Sequence, residues 1–407
     1  LLTTDIAIGR KTGKSAIYAY ETMRKKWKFL GVLTFLVPIL IMTYYAVIGG
    51  WILKYITIYL LGSGEQAVDS NCFSNFISAP SSVWYSIAFM LLTSFIVYNG
   101  VEKGIERVSK FIMPVLLLMV VGIAVFSLTL KTTLEDGTVR TGLQGLAVYL
   151  TPDLSGITLE RFLQIALDAM SQLFFSLSVS MGIMITYGSY VKKDVDLNKS
   201  VSQIELMDTG VAFLAGVMII PAVFAFSGGD PNTLNAGPSL MFITIPKVFA
   251  SMGLGTPIGI LFFVLVLCAA LTSSIALTES AVSTFQDELK WCRQKSTLVV
   301  GAIMIVLGSL SSLGYGPLAC VKIIGMQFLD FFDFLTNSVM MPIAAIATCL
   351  LISRVIGLKK IEDEVVLGEG TFKRKKIFNF MIKYLCPIFA AIILLSSVAN
   401  AFGWISM

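Results

Sequence analysis

Nine apolar runs recur along this chain of 407 residues, at about 29–62, 83–101, 111–130, 162–191, 209–228, 256–286, 297–316, 334–353 and 377–404. Each is near or above the roughly 20 residues that cross a bilayer core. No polar linker separates them, and hydrophobic residues make up 56% of the chain against 14% charged. A soluble chain of this length would be expected to divide into about two or three domains; this pattern predicts one all-α polytopic membrane domain over 1–407. The run 29–62 is interrupted only by Lys54. About 34 helical residues reach roughly 50 Å, well beyond a 30 Å core, so this helix is predicted to tilt or protrude.

The lysines and arginines set an orientation. The connections 10–28, 103–110, 192–199, 287–295 and 354–383 hold 24 of the 30, and the alternate connections hold few. Cytoplasmic loops carry the excess of positive charge, so these five connections are predicted to be cytoplasmic in a multi-pass protein of the cell membrane. The net charge of +5 is therefore a topology signal and gives no reason to propose nucleic acid as a partner. Six cysteines form no CxxC pair and histidine is absent, which removes a disulfide framework, most zinc sites and every histidine-based triad. An enzyme is hard to build from what remains. The chain starts at Leu1 with "LLTTDIAIGRKTG", an apolar scrap followed by basic residues and no signal-peptide pattern; we expect it to be the inner end of a helix that began upstream.

Polar residues inside the spans are the candidate site. In 162–191 they cluster as Asp168, Ser171, Gln172, Ser176, Ser178 and Ser180, followed by Gly182. Small residues in membrane helices often only let neighbours approach. However, Ser176 and Ser178, two apart, cannot share a helical face. An unwound segment at 176–182 would instead free backbone groups at mid-membrane, where they are tolerated only beside protein or a water-filled cavity. Broken helices of this kind offer half-helix ends to a zwitterion and carbonyl oxygens to a sodium ion.

A second constellation is "CAALTSSIALTES", 268–280. Ala269, Thr272 and Ser273 stand at i, i+3 and i+4, and Leu277 continues their face. A carbonyl and two hydroxyls suit a hard cation that prefers oxygen; hydroxyls bonding back to their own helix are the alternative. Asp208 opens the run "DTGVAFLAGVMIIP", and an acid in a span usually faces a cavity or partner, unless it caps a helix end. Tyr44 and Tyr45 could lie over a ligand or anchor the lipid interface.

"ALDAMSQLFFSLSVSMGIMITYGSYV" (166–191), "CAALTSSIALTESAVSTFQDEL" (268–289), "GPSLMFITIPKVF" (237–249) and "IGR" (8–10), several independent motifs in the right order along the chain, resemble the neurotransmitter:sodium symporters. The resemblance runs from residue 1 to about 404. It implies the inverted-repeat leucine-transporter-type fold, with 1–10 as the end of helix 2 and the nine spans as helices 3–11, as in bacterial members with eleven helices. Helix 1 and most of helix 2 would be lacking, and such a chain would not transport by itself. Carried over position by position, Ile41, Tyr45, Phe175, Ser178, Met181, Ser273 and Leu277 would contact substrate. Ser176 and Asp208 would serve one sodium site, and Ala269, Thr272 and Ser273 a second. Asp333 would be the outer-gate acid and Asp287 the inner-gate acid, accompanied by Tyr190; without the resemblance, each acid reads as a solvated helix-end charge. The Asp208 position is often asparagine with a chloride nearby in the family, so chloride is expected not to be required.

The implied function is sodium-coupled symport by alternating access, with membrane lipid and an amino acid as partners. The pocket set Ile41, Tyr45, Phe175, Met181 and Leu277 is apolar and lacks a buried charge, which suggests neutral, bulky hydrophobic amino acids, and flexible Met181 suggests breadth. A sodium-independent exchanger of the same fold and a non-transporting fragment are the competing readings. Nothing in the sequence fixes an oligomeric state.

Overall fold

The computed structural model describes residues 1–133, 137–152, 156–226, 237–250, 254–368 and 372–403. The ends of two apolar runs, 227–228 and 404, lie outside them. The chain is almost wholly helical. A short helix α1 (Leu2–Thr12) is followed by α2 (Ala16–Met23) and by the 33-residue α3 (Lys28–Leu60). Helices α4 (Ser70–Ser78) and α5 (Ser82–Tyr98) meet at a 79° bend. Next come α6 (Arg107–Thr129), a two-stranded antiparallel hairpin of β1 (Lys131–Thr133) and β2 (Val139–Thr141), and α7 (Gly142–Leu150). The run 162–191 forms two pieces, α8 (Leu159–Ser176) and α9 (Ile183–Tyr190). The remainder comprises α10 (Leu197–Phe226), α11 (Gly237–Ala250), α12 (Gly255–Leu289), α13 (Arg293–Leu313), α14 (Phe328–Ile356), α15 (Lys359–Val365) and α16 (Lys375–Ala401).

Among the described residues seven helices are long and apolar enough to cross a membrane, or eight if α4 and α5 count as one bent span. The run 83–101 thus yields a helix of only 17 residues, and 162–191 is divided. Large apolar side chains point outward along the spans, including Phe111, Leu118 and Val125 on α6 and Ile377, Ile388 and Leu395 on α16. On a soluble protein such faces would be a liability; against lipid tails they cost nothing.

Helix α3 is the central post. It packs against α12, α5, α13 and α2, and over half of its spanning window is buried. At one end Trp51, Tyr55, Phe73, Phe242 and Phe263 form an aromatic cluster, with Phe73 and Phe242 stacked at 5.1 Å and Trp51 edge-on to Phe73 at 5.1 Å. The Tyr55 hydroxyl donates to the Phe242 carbonyl over 2.7 Å, fixing α11 across that end. At the other end α1 lies against α9, and glycine makes this possible on both sides. A Cβ on Gly9, the glycine of "IGR", would collide with the Ile185 carbonyl, and one on Gly188 with the Ile6 carbonyl. The backbones therefore meet without side chains between them, the small-residue packing that membrane helices favour.

A buried ion pair closes this end. Arg10 Nε donates to Glu364 Oε1 of α15 over 2.9 Å, its Nη1 to the Val195 carbonyl over 2.6 Å and its Nη2 to the Glu364 carbonyl. Both side chains are nearly inaccessible. The guanidinium fork thus ties together α1, the segment before α10, and the connection after α14.

Candidate functional site

The break between α8 and α9 is a backbone event. The regular helix ends at Ser176, with the Leu177 amide still bonded to the Leu173 carbonyl over 3.1 Å, and Ser178, Ser180 and Gly182 all take left-handed conformations, with φ of 51°, 61° and 74°. For the two serines such backbone costs about 1–2 kcal/mol each, so it persists only where surroundings hold it. The Ser180 amide donates to Asp5 Oδ2 of α1 over 2.9 Å, which satisfies one freed group with a buried carboxylate. Gly182 sits where a Cβ would lie 3.0 Å from the Thr34 carbonyl and 3.2 Å from Ala16 Cβ. Thr34 is four residues before Pro38, which lies inside α3. Proline lacks the N–H that would bond that carbonyl, so α3 turns a free acceptor towards the break.

An open cleft lies on the other side of the break. Its lining includes Ile41 and Tyr45 from α3, Phe175, Ser176, Ser178 and Met181 from the break, Asp208 from α10, and Ala269, Thr272, Ser273 and Leu277 from α12. All eleven residues expected to contact substrate or sodium thus share one cavity. Gln172, Met113, Ile204 and Met207 extend its wall. Ser176 Oγ donates to Asp208 Oδ1 over 2.5 Å, so Asp208 faces a partner and is not merely capping a helix end; it lies well inside α10. Thr272 Oγ1 donates to the Ala269 carbonyl over 2.8 Å, the back-bonded arrangement that sequence alone left open. The Ser273 hydroxyl interacts with Tyr45. Carboxylate, hydroxyl and carbonyl oxygens with an apolar wall make a donor set suited to a hard monovalent cation beside a neutral organic ligand.

The residues expected at the gates lie outside this cleft. Asp333 is half-buried on α14, accepts from Asn337 Nδ2 over 2.6 Å and interacts with Tyr44; Asn337 also donates to the Tyr44 hydroxyl over 3.2 Å. It is therefore held in a polar cluster rather than freely solvated, and Tyr44 belongs to that cluster while Tyr45 faces the cleft. Asp287 accepts from the Ser15 amide over 2.8 Å and faces Lys14 Nζ at 3.6 Å. Tyr190 does not accompany it. Its hydroxyl donates instead to Glu279 Oε1 over 2.6 Å, because Glu279 stands two turns nearer the break on α12.

Glu279 and Asp5 escaped the reading of the sequence. Glu279 is fully buried, and Arg293 of α13 donates to both its oxygens, over 3.1 Å and 2.5 Å. One carboxylate thereby joins α9, α12 and α13. The signal was present: a glutamate at "LTES" inside an apolar span is expensive and requires a named partner. Asp5 stood in the apolar scrap at the start of the chain, where nothing marked it as opposite the break.

Comparison with known proteins agrees with this geometry. The model of the sodium:neurotransmitter symporter family matches residues 69–403. An uncharacterized sodium-dependent transporter of Bacillus subtilis, YhdH, is 35% identical over 98% of this chain and 86% of its own length. Another from Haemophilus influenzae is 29% identical over 98% and 87%. Among solved structures, MhsT in complex with L-phenylalanine superposes with a TM-score of 0.83 at 34% identity, covering 97% of this chain and 87% of its own. The broken span, the oxygen-lined cleft and these matches lead to one assignment: the chain belongs to the sodium:neurotransmitter symporter family, sodium-dependent transporters with the leucine-transporter-type fold rather than enzymes.

Proposed function

We propose that the protein couples sodium to the uptake of neutral, bulky hydrophobic amino acids by alternating access around the cleft at the break. The observation that carries this reading is the meeting, in one cavity, of Phe175, Ser178, Met181, Ile41, Tyr45 and Leu277 with the Ser176–Asp208 pair and the Ala269–Thr272–Ser273 oxygens. The wall that would take the substrate side chain carries no charge, and the phenylalanine bound by MhsT is of the same chemical class. In this reading Tyr45 and the freed backbone near Ser178 orient the α-carboxylate and amine, Phe175, Met181, Ile41 and Leu277 surround the side chain, and sodium is carried at Ser176–Asp208 and at Ala269–Thr272–Ser273. Asp333 and Asp287, with Tyr44 and Lys14 beside them, serve as the outer and inner gates. The basic connections face the cytoplasm. Sodium and substrate drive one another only through unequal affinity for the two open states, and the coupling is reciprocal.

Asp208 supplies a fixed negative charge beside the first sodium position, so transport is expected to be chloride-independent. The test is binding of radiolabelled leucine, phenylalanine, glutamate and lysine to the full-length protein in sodium and in potassium. The expected result is sodium-dependent binding of the first two alone. Binding indifferent to sodium would favour an exchanger, and uptake lost on replacing chloride by gluconate would reject the role given to Asp208.

A further inference from the structure

Away from the cleft, the basic end of α10 meets the start of α16 in an open pocket lined by Asn198, Lys199, Ser202, Lys373 and Arg374. Three cations stand here beside two carboxylates: Asp196, whose Oδ1 accepts from the Lys199 amide over 3.1 Å, and Glu205, which receives Arg374 Nη1 over 2.7 Å. That bridge holds the guanidinium across the gap between the two helices, while Lys199 and Lys373 are exposed. Below the pocket both helices turn apolar faces outward. On α16 the exposed residues Ile377, Met381, Tyr384, Ile388, Ile392 and Leu395 recur at spacings of three and four, one continuous stripe of the helix. On α10, Leu206 and Phe213 are exposed seven residues apart, the Phe213 ring lying 5.7 Å from that of Tyr149.

Cationic groups at the mouth, the Ser202 hydroxyl beside them, an apolar stripe along α16 and exposed apolar side chains on α10 match the anatomy of one ligand class. We propose that this pocket binds the phosphate headgroup of an anionic glycerophospholipid, with its acyl chains lying along α10 and α16. Basic pockets between membrane helices are suited to such headgroups, with each lysine or arginine near the surface adding to the attraction. A soluble anion would use the cations and have no use for the apolar side chains. Because α10 carries Asp208 and is joined to the start of α16 by Arg374–Glu205, an occupied pocket would brace the helix that bears part of the cleft.

The proposal depends on the membrane embedding of these helices and not on transport, so binding and transport can fail separately. Purified full-length protein in a neutral detergent is titrated with phosphatidylglycerol, phosphatidylcholine or inorganic phosphate, and bound lipid is counted by native mass spectrometry. Phosphatidylglycerol is expected to bind in preference to phosphatidylcholine. K199Q/K373Q is expected to weaken it by on the order of fivefold for each lysine removed. K103Q/K110Q, which removes the same charge from another connection, is expected to leave it unchanged. Equal weakening by both double variants would show a diffuse surface effect and overturn the site. Displacement of the lipid by inorganic phosphate at similar concentration would also overturn it, since the pocket would then be a plain anion site. Thermal unfolding of each variant without lipid identifies a folding defect, and in that event R374K, which keeps the charge but changes the fork, is expected to reduce phosphatidylglycerol binding less than R374Q.

Discussion

The broken span α8–α9 and the unbroken α12 bring oxygen to the same cleft by opposite means. α8–α9 leaves the regular helix over 177–182 and frees backbone groups such as the Ser180 amide, at the cost of two serines and a glycine in left-handed conformations. α12 keeps its helix over 35 residues and supplies hydroxyls from Thr272 and Ser273, one of them already bonded to the Ala269 carbonyl. The first is a strained element that others must hold; the second is a rigid wall that does some of the holding. Asp5 braces the break from one side, and Glu279, through Tyr190, ties α9 to α12 and α13. The comparison teaches that the strained half of the site is held by carboxylates outside the cleft, one of them, Glu279, carried by the rigid half itself.

Four substitutions break or sharpen that contrast, in falling order of effect. Removing the tie itself, Glu279→Ala, leaves the partly buried Arg293 without its carboxylate and with only the Val97 carbonyl, which accepts from its Nε. About 3–5 kcal/mol of stability is expected to be lost, visible as a large drop in the unfolding temperature of the protein in detergent; a drop of no more than a degree or two would mean that α9 is held by packing alone. Gly182→Val combines an unfavourable φ with contacts to the Thr34 carbonyl and Ala16. About 2 kcal/mol is expected, with substrate binding lost alongside; retained binding would show that the break tolerates another geometry.

Asp208→Asn keeps the shape of the Ser176 contact and removes the charge. Sodium affinity is expected to fall about tenfold, near 1.4 kcal/mol, and chloride is expected to begin stimulating binding. A sodium titration with and without chloride decides the matter, and no change in either would remove Asp208 from the ion site. On the rigid side, Thr272→Ala deletes one hydroxyl from a helix that does not need it. The expected loss is about 1 kcal/mol in sodium affinity with no shift in unfolding temperature. An unchanged affinity would mean that the hydroxyl serves only the Ala269 carbonyl.

Much of this was legible in the sequence because it depends on periodicity and composition. The length and apolarity of the runs dictate membrane helices, since no other structure satisfies so much backbone in lipid apart from a closed barrel. The Ser176–Ser178 spacing argued against a continuous face, and the structure unwinds there. Ala269, Thr272 and Ser273 share a face by helical geometry alone. Harder to read were contacts between distant segments. α12 offers Tyr190 three acids, Glu279, Asp287 and Glu288, and only the depth at which α9 packs selects Glu279. Asp333 meets Asn337 at i+4 on its own helix, which helical spacing allows, but Tyr44 of α3 joins them, a pairing that no local pattern encodes.

What the sequence determined by itself is the solvent, the helices and the presence of a break, because each follows from transfer energies and dihedral preferences acting within a few residues. The tertiary structure decided which charges meet: Asp5 with the Ser180 amide, Arg10 with Glu364, Glu279 with Tyr190 and Arg293, and Thr34 facing Gly182. Those partners lie tens to hundreds of residues apart. A buried charge is tolerable only when a specific neighbour arrives at hydrogen-bonding distance, and that arrival is a property of the packed whole.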